Sequence, residues 1–118
     1  MTAFGVYDFF IDGKKVGNRI MAPGWTYYTK WIQYQEYDIT ELLQGESTLS
    51  VTVAPGWACG FISPIRKRVE DFHGAYGIPN PSMVAEILVE YEDGKFTLVE
   101  YGNDSFMGEL KTKLPNNV

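Results

Sequence analysis

Apolar and polar positions alternate along most of this chain, and the alternation is cut at short intervals by glycine, proline and Asp-Gly pairs. A period of two places successive side chains on opposite faces of a strand, so the pattern predicts short, half-buried strands. The run Phe4 to Ile11 reads as a strand from almost the first residue, and Asp12-Gly13-Lys14-Lys15 reads as a hairpin turn leading into Val16 and onward. Asn18-Arg19-Ile20-Met21 is expected to carry a second strand to the Pro-Gly bend, and Lys30 to Ile39 to form a strand with one face inward. Thr40-Glu41-Leu42-Leu43, with Asp38 or Thr40 as cap and Gly45 as terminator, predicts one short helical or 3₁₀ turn seating Leu42 and Leu43. Ser47 to Val53 alternates again, with Leu49, Val51 and Val53 on one face. Met83 to Tyr91 and Lys95 to Tyr101 form a second predicted hairpin around Glu92-Asp93-Gly94. Between Ala58 and Pro81 the pattern dissolves into a long loop, expected to pack through Phe61, Ile65, Phe72 and Tyr76. The expected architecture is an all-β antiparallel sandwich with one short helical turn, a single domain over 1–110 and a loosely held tail over 111–118.

The stretch that organises the rest is Ala22-Pro23-Gly24-Trp25-Thr26-Tyr27-Tyr28. Proline fixes φ and glycine frees it, so this bend cannot continue a ladder. Trp25, Tyr27 and Tyr28 each combine an apolar face with a polar handle, which suits a surface meeting a sugar. The same four letters return at Ala54-Pro55-Gly56-Trp57, at the end of a different apolar run. Two such bends, each closing a strand, can lie side by side at one end of a sheet. Trp25, Tyr27, Tyr28 and Trp57 are therefore candidate carbohydrate-stacking residues. The plainer alternative is that each tryptophan plugs an end of the core.

Composition narrows the function classes. The chain has 118 residues, 45% of them hydrophobic and 15% aromatic, which argues for a packed globule rather than disorder. A net charge of −5 argues against nucleic acid and against an anionic membrane surface as partners. Cys59 has no second cysteine to pair with. No secretory leader and no apolar run of membrane-spanning length is visible, so the expected location is cytoplasmic, or secreted if a parent protein carries a leader outside this fragment.

Catalytic chemistry is sparse. His73 is the sole histidine and Cys59 lacks a basic neighbour in sequence, so neither reads as part of a nucleophilic pair. The same scarcity, one cysteine and one histidine, argues against zinc. Glu36, Glu41, Glu86, Glu90, Glu92 and Glu100 fall on polar faces or at turns, where solvation accounts for them without a pair of glycosidase carboxyls.

The segment Gly5 to Gly17 resembles the strand-and-hairpin of the amino-terminal domain of bacterial α-L-rhamnosidases. The same order follows in Ala22-Pro23-Gly24-Trp25-Thr26, Gln33-Tyr34-Gln35, Tyr37 to Leu43 and Gly56-Trp57, and the similarity resumes from Ala85 to Gly94. The resemblance implies a jelly-roll sandwich, galactose-binding-domain-like, that accompanies a separate helical catalytic barrel and lacks one or more amino-terminal strands here. It implies a non-catalytic accessory domain of an enzyme that hydrolyses terminal α-L-rhamnosyl linkages. Its partners are then rhamnosides and the catalytic domain of the parent chain, with a homodimer through an exposed edge strand as a further expectation. In some relatives a similar sandwich binds rhamnose through Ca²⁺. Tyr27 and Ala58 depart from the family's pattern, and Asn18 stands where the family often has aspartate, a lost carboxylate that weakens a calcium site. The oxygens left to such a site are those of Asn18, Asp71 and Asn80. A module that packs on the barrel and binds no ligand is the alternative.

Overall fold

The computed structural model describes residues 1–60, 76, 78, 80–103 and 112–113. It is all-β and antiparallel. In chain order the strands are β1 (Thr2–Phe4), β2 (Val6–Ile11), β3 (Lys14–Lys15), β4 (Thr48–Ala54), β5 (Ser82–Glu90), β6 (Phe96–Asn103) and β7 (Thr112–Lys113). A 3₁₀ turn spans Thr40–Leu42 and a one-turn helix, α1, spans Gly56–Cys59. The strands form two sheets, ordered β1-β5-β6 and β3-β2-β4-β7.

The core lies between the sheets and is built by alternation. Tyr7, Phe9 and Ile11 of β2 and Leu49, Val51 and Val53 of β4 turn inward from one sheet, and Ala3, Met83 and Ala85 meet them from the other. β2 and β4 pair from Val6↔Ala54 to Ile11↔Leu49, a register that puts both inward triplets on one face. A smaller cluster of Tyr28, Ala58 and Cys59 seals one end, with Phe4, Trp57, Tyr76 and Ile78 packed on it. Burial pushes the Cys59 thiol up to about 11, so it is a neutral packing group.

Both expected hairpins form. Asp12 and Gly13 have φ of 49° and 79°, the two positive values that a type I′ turn needs, between the paired Ile11 and Lys14. Asp12 also receives the Thr48 amide at its carboxylate (2.8 Å) and donates its own amide to the Thr48 carbonyl (2.8 Å), so the turn is bolted to β4. Tyr91 and Lys95 close the β5–β6 hairpin, where Asp93 Oδ1 accepts the Lys95 amide at 3.0 Å. The 3₁₀ turn sits where Asp38 Oδ1 accepts from both the amide and the hydroxyl of Thr40. Only Leu43 packs against the core from this turn, because Leu42 faces solvent.

Four expectations change. The run Phe4 to Ile11 is two strands in different sheets, because Gly5 adopts φ of 134° and turns the chain from one sheet to the other. Asn18 to Met21 is not a strand. The ladder ends at Lys15, Ile20 is 83% exposed, and the chain regains β2 only at the Tyr7↔Ala22 bridge. Lys30 to Ile39 forms no ladder strand: Lys30 closes a turn onto the Tyr27 carbonyl, Ile39 has ψ of 8°, and the segment meets the first sheet only locally, through an exchange of backbone bonds between Met1 and Gln35. In the expected tail, Thr112–Lys113 pairs with Leu49 and Thr48 on the free side of β4. Of the long loop's expected packing residues, Phe61, Ile65 and Phe72 lie outside the described residues, and Tyr76 packs as expected.

A Cβ at Gly5 would collide with the Ala54 carbonyl oxygen, in a backbone conformation that L residues rarely adopt. Gly5→Ala is expected to lower stability by about 3 kcal/mol or more, whereas Gly102→Ala, with open space around it, leaves stability within about 0.5 kcal/mol. Urea midpoints of the two variants at an unchanged m-value check this.

Candidate functional site

The site is built on the two Pro-Gly-Trp bends. Ala22 joins β2 through the Tyr7 amide, which donates to its carbonyl at 2.8 Å, and the Ala22–Pro23 peptide bond is cis. Beneath the bend lies a buried polar network. Gln35 is 5% exposed. Its Nε2 donates to the Pro23 carbonyl (3.2 Å) and its Oε1 accepts from the Tyr7 hydroxyl (2.8 Å). The proline carbonyl only accepts, which orients the amide and obliges Tyr7 to donate. The Tyr37 hydroxyl, 3.1 Å from that of Tyr7, is then the donor of the remaining bond. Burial raises the Tyr7 pKa far above the ordinary phenol value, so the network stays neutral.

Gly24 has φ of 106°, and the Gln33 side chain lies against it, 3.2 Å from the place a Cβ would take. The Tyr28 hydroxyl donates back to the Gly24 carbonyl at 3.1 Å. Thr26, buried, donates its hydroxyl to the Trp31 carbonyl at 2.8 Å. The Tyr27 carbonyl accepts from the amides of Lys30 and Trp31. Each turn residue therefore has a partner, and the loop holds one shape.

From this base the aromatic rings converge. Trp25 and Trp57 stack with planes 9° apart and centroids 5.8 Å apart. The Trp25 indole N–H donates to the Tyr76 hydroxyl at 2.7 Å. Tyr76 in turn meets Tyr27 edge-on at 6.0 Å and Tyr28 edge-on at 5.0 Å. All four sequence candidates thus fall in one cluster, with different roles. Trp25 and Tyr27 are 44% and 46% exposed, Trp57 is half-buried behind Trp25, and Tyr28 at 5% exposed is a strut beneath the cluster rather than an open face. Tyr76 is the residue that sequence reasoning left out of the site. It lies 51 positions from Trp25 among glycines and prolines, and nothing in its neighbourhood marks it as a partner.

The cluster presents ring faces and phenol hydroxyls at the surface. For a hard cation, Asn18 and Asn80 are both exposed and offer only neutral oxygens, and Asp71 lies outside the described residues. Among the described residues no three histidine, cysteine or carboxylate side chains gather in one place. The described residues therefore do not fit a calcium centre, and His73 also falls outside them.

Comparison with known proteins bears on the whole chain. Residues 1–114 match the family model described as the α-L-rhamnosidase N-terminal domain. An α-L-rhamnosidase of Streptomyces avermitilis is 38% identical over 104 residues, covering 87% of this chain and 9% of that protein. One from Formosa agariphila is 34% identical over 95 residues, covering 80% of this chain and 10% of that protein. Among solved structures, the Streptomyces avermitilis α-L-rhamnosidase complexed with L-rhamnose superposes with a TM-score of 0.71 at 36% identity, over 87% of this chain and 9% of that one. The native Aspergillus terreus enzyme gives a TM-score of 0.59 at 30% identity, over 83% and 11%. The chain thus spans about a tenth of the length of these relatives.

Tyr76→Phe removes the acceptor of the Trp25 indole. It is expected to cost about 1 kcal/mol and to raise iodide quenching and red-shift the emission of a Trp31→Phe background, in which only Trp25 and Trp57 report. Unchanged quenching would show that the bond does not hold the ring.

Proposed function

Because this chain belongs to the family of α-L-rhamnosidase N-terminal domains, we propose that it is a non-catalytic accessory domain of such an enzyme and aids recognition of rhamnosyl-containing carbohydrate. The observation that carries this reading is the braced ring cluster. Trp25 and Tyr27 stand half open while their undersides are fixed by Trp57 and Tyr76, so ring faces are presented without the entropy cost of ordering them on binding. A deoxyhexose has one face of C–H groups and an edge of hydroxyls. The first fits a ring face and the second fits phenol and indole polar atoms. Hydrolysis belongs, in this reading, to the catalytic domain of the parent chain.

A second reading has its own support. The outward face of the β5–β6 hairpin exposes Val84, Leu88, Leu98 and Phe96, an apolar surface of the kind that packs on a neighbouring domain. A structural module that docks on the parent's catalytic domain and binds no sugar uses that face and leaves the ring cluster as an end plug.

Calorimetric titration with L-rhamnose separates the two. The carbohydrate reading predicts saturable heat with a Kd of about 1 mM, weakened about tenfold or more by Trp25→Ala and also weakened by Tyr27→Ala, and unaffected by chelator. No heat from the folded domain, with rhamnosides as well as the free sugar, leaves the structural module as the function.

A further inference from the structure

The polar atoms of the ring cluster are not equally free to meet a ligand. The Tyr28 hydroxyl spends its proton on the Gly24 carbonyl, at 3.1 Å. The Trp25 indole N–H is spent on Tyr76, at 2.7 Å. Tyr76 is different. An indole nitrogen only donates, so the Tyr76 oxygen is the acceptor of that bond and keeps its own proton to give. Among the described residues no group takes that proton. The Tyr27 hydroxyl also has no partner among them, and so nothing there fixes its direction.

Tyr76 is a donor with a direction. Its ring is held edge-on against Tyr27 at 6.0 Å and against Tyr28 at 5.0 Å. Conjugation keeps a phenol O–H close to the plane of its ring, and the indole proton takes one side of the oxygen, so the hydroxyl proton turns to the other. Accepting the indole proton also polarises the O–H and makes it a stronger donor. The Trp25–Tyr76 bond lies at the exposed surface, where a ligand reaches it. Trp57 covers one face of Trp25, which leaves the opposite face for stacking. A pyranose resting there stands about 4 Å above the indole, and its hydroxyls radiate past the indole edge. The Tyr76 oxygen lies 2.7 Å beyond Nε1 at that edge. Stacking reads only the C–H surface of a sugar, which many sugars share. A directed donor reads which ring carbon carries an oxygen.

We propose that Tyr76 is the specificity-determining residue of the cluster: its hydroxyl, oriented by Trp25, donates a hydrogen bond to one hydroxyl oxygen of a pyranose stacked on Trp25. The site then takes a sugar with an oxygen at that ring position and discriminates against one without it. This role deepens the carbohydrate reading of the same cluster and rests on it.

The test titrates the 118-residue chain with methyl α-L-rhamnopyranoside and with its three monodeoxy analogues, each lacking one ring hydroxyl, and follows the indole N–H signals by NMR. Wild type is expected to bind one analogue about fivefold more weakly than the parent glycoside. Tyr76→Phe keeps the ring and is expected to bind that analogue and the parent glycoside equally, while the ratios for the other two stay as in wild type. A residue that only braces Trp25 would weaken all four ligands by one common factor and leave every ratio unchanged. That result overturns the proposal and leaves the carbohydrate reading standing. In wild type the Trp25 indole proton, whose acceptor is polarised by the new bond, is expected to move downfield with the parent glycoside and with two analogues, and not with the third. This second readout needs no variant, so it decides the matter even if Tyr76→Phe binds nothing. A shift that ignores which hydroxyl is missing, or equal wild-type affinity for all four ligands, overturns the proposal. No binding of the parent glycoside to the folded wild type overturns both it and the carbohydrate reading.

Discussion

The buried amide of Gln35 is the constraint on which the arrangement of this domain turns. It is a polar side chain inside an apolar sandwich, and it is stable there because both ends are satisfied, by the Pro23 carbonyl and by the Tyr7 hydroxyl. Those two partners belong to the first Pro-Gly-Trp bend and to β2, an interior strand of the second sheet. The backbone of the same residue pairs with Met1 beside β1. One residue thus ties the ring-bearing loop to both sheets, and an unpaired group at any of these points would cost about 1 to 3 kcal/mol. The bend cannot drift without breaking the network.

That tie explains how a small domain holds aromatic rings at its surface. Exposed tryptophan and tyrosine side chains left to themselves collapse onto nearby apolar surface or sample many rotamers. Here Tyr28 is buried and bonded to the Gly24 carbonyl, Thr26 is bonded to the Trp31 carbonyl, and Tyr76 receives the Trp25 indole proton. Trp57, carried on α1 at the end of β4, covers the back of Trp25. The rings are fixed by groups from distant parts of the chain, so the open faces of Trp25 and Tyr27 are a property of the whole fold.

Much of the scaffold was legible in the sequence, and the reasons for the rest are local. Asp12-Gly13 and Asp93-Gly94 predicted both hairpins because glycine readily takes the positive φ each turn uses, 79° at Gly13 and 81° at Gly94. The alternation of Leu49, Val51 and Val53 located β4 and its inward face. Alternation alone did not show that Gly5 divides one apolar run between two sheets, because a period of two survives a change of sheet. Nor did it distinguish a ladder strand from the irregular segment 31–39, whose neighbour β1 is only three residues long. The four aromatic candidates were visible as a repeated motif. Their division into open faces, backing ring and strut depended on Tyr76, a contact 51 residues away that no local pattern encodes.

The most direct test of this account uses the three tryptophans as separate reporters. In a ¹⁵N-labelled sample the indole N–H groups of Trp25, Trp31 and Trp57 give distinct NMR signals, to be followed while an α-L-rhamnosyl disaccharide is added. The account predicts that the Trp25 and Trp57 signals move together and saturate at one affinity, while that of Trp31 stays in place. Movement of Trp31 alone, or of none of the three at saturating sugar, would contradict it.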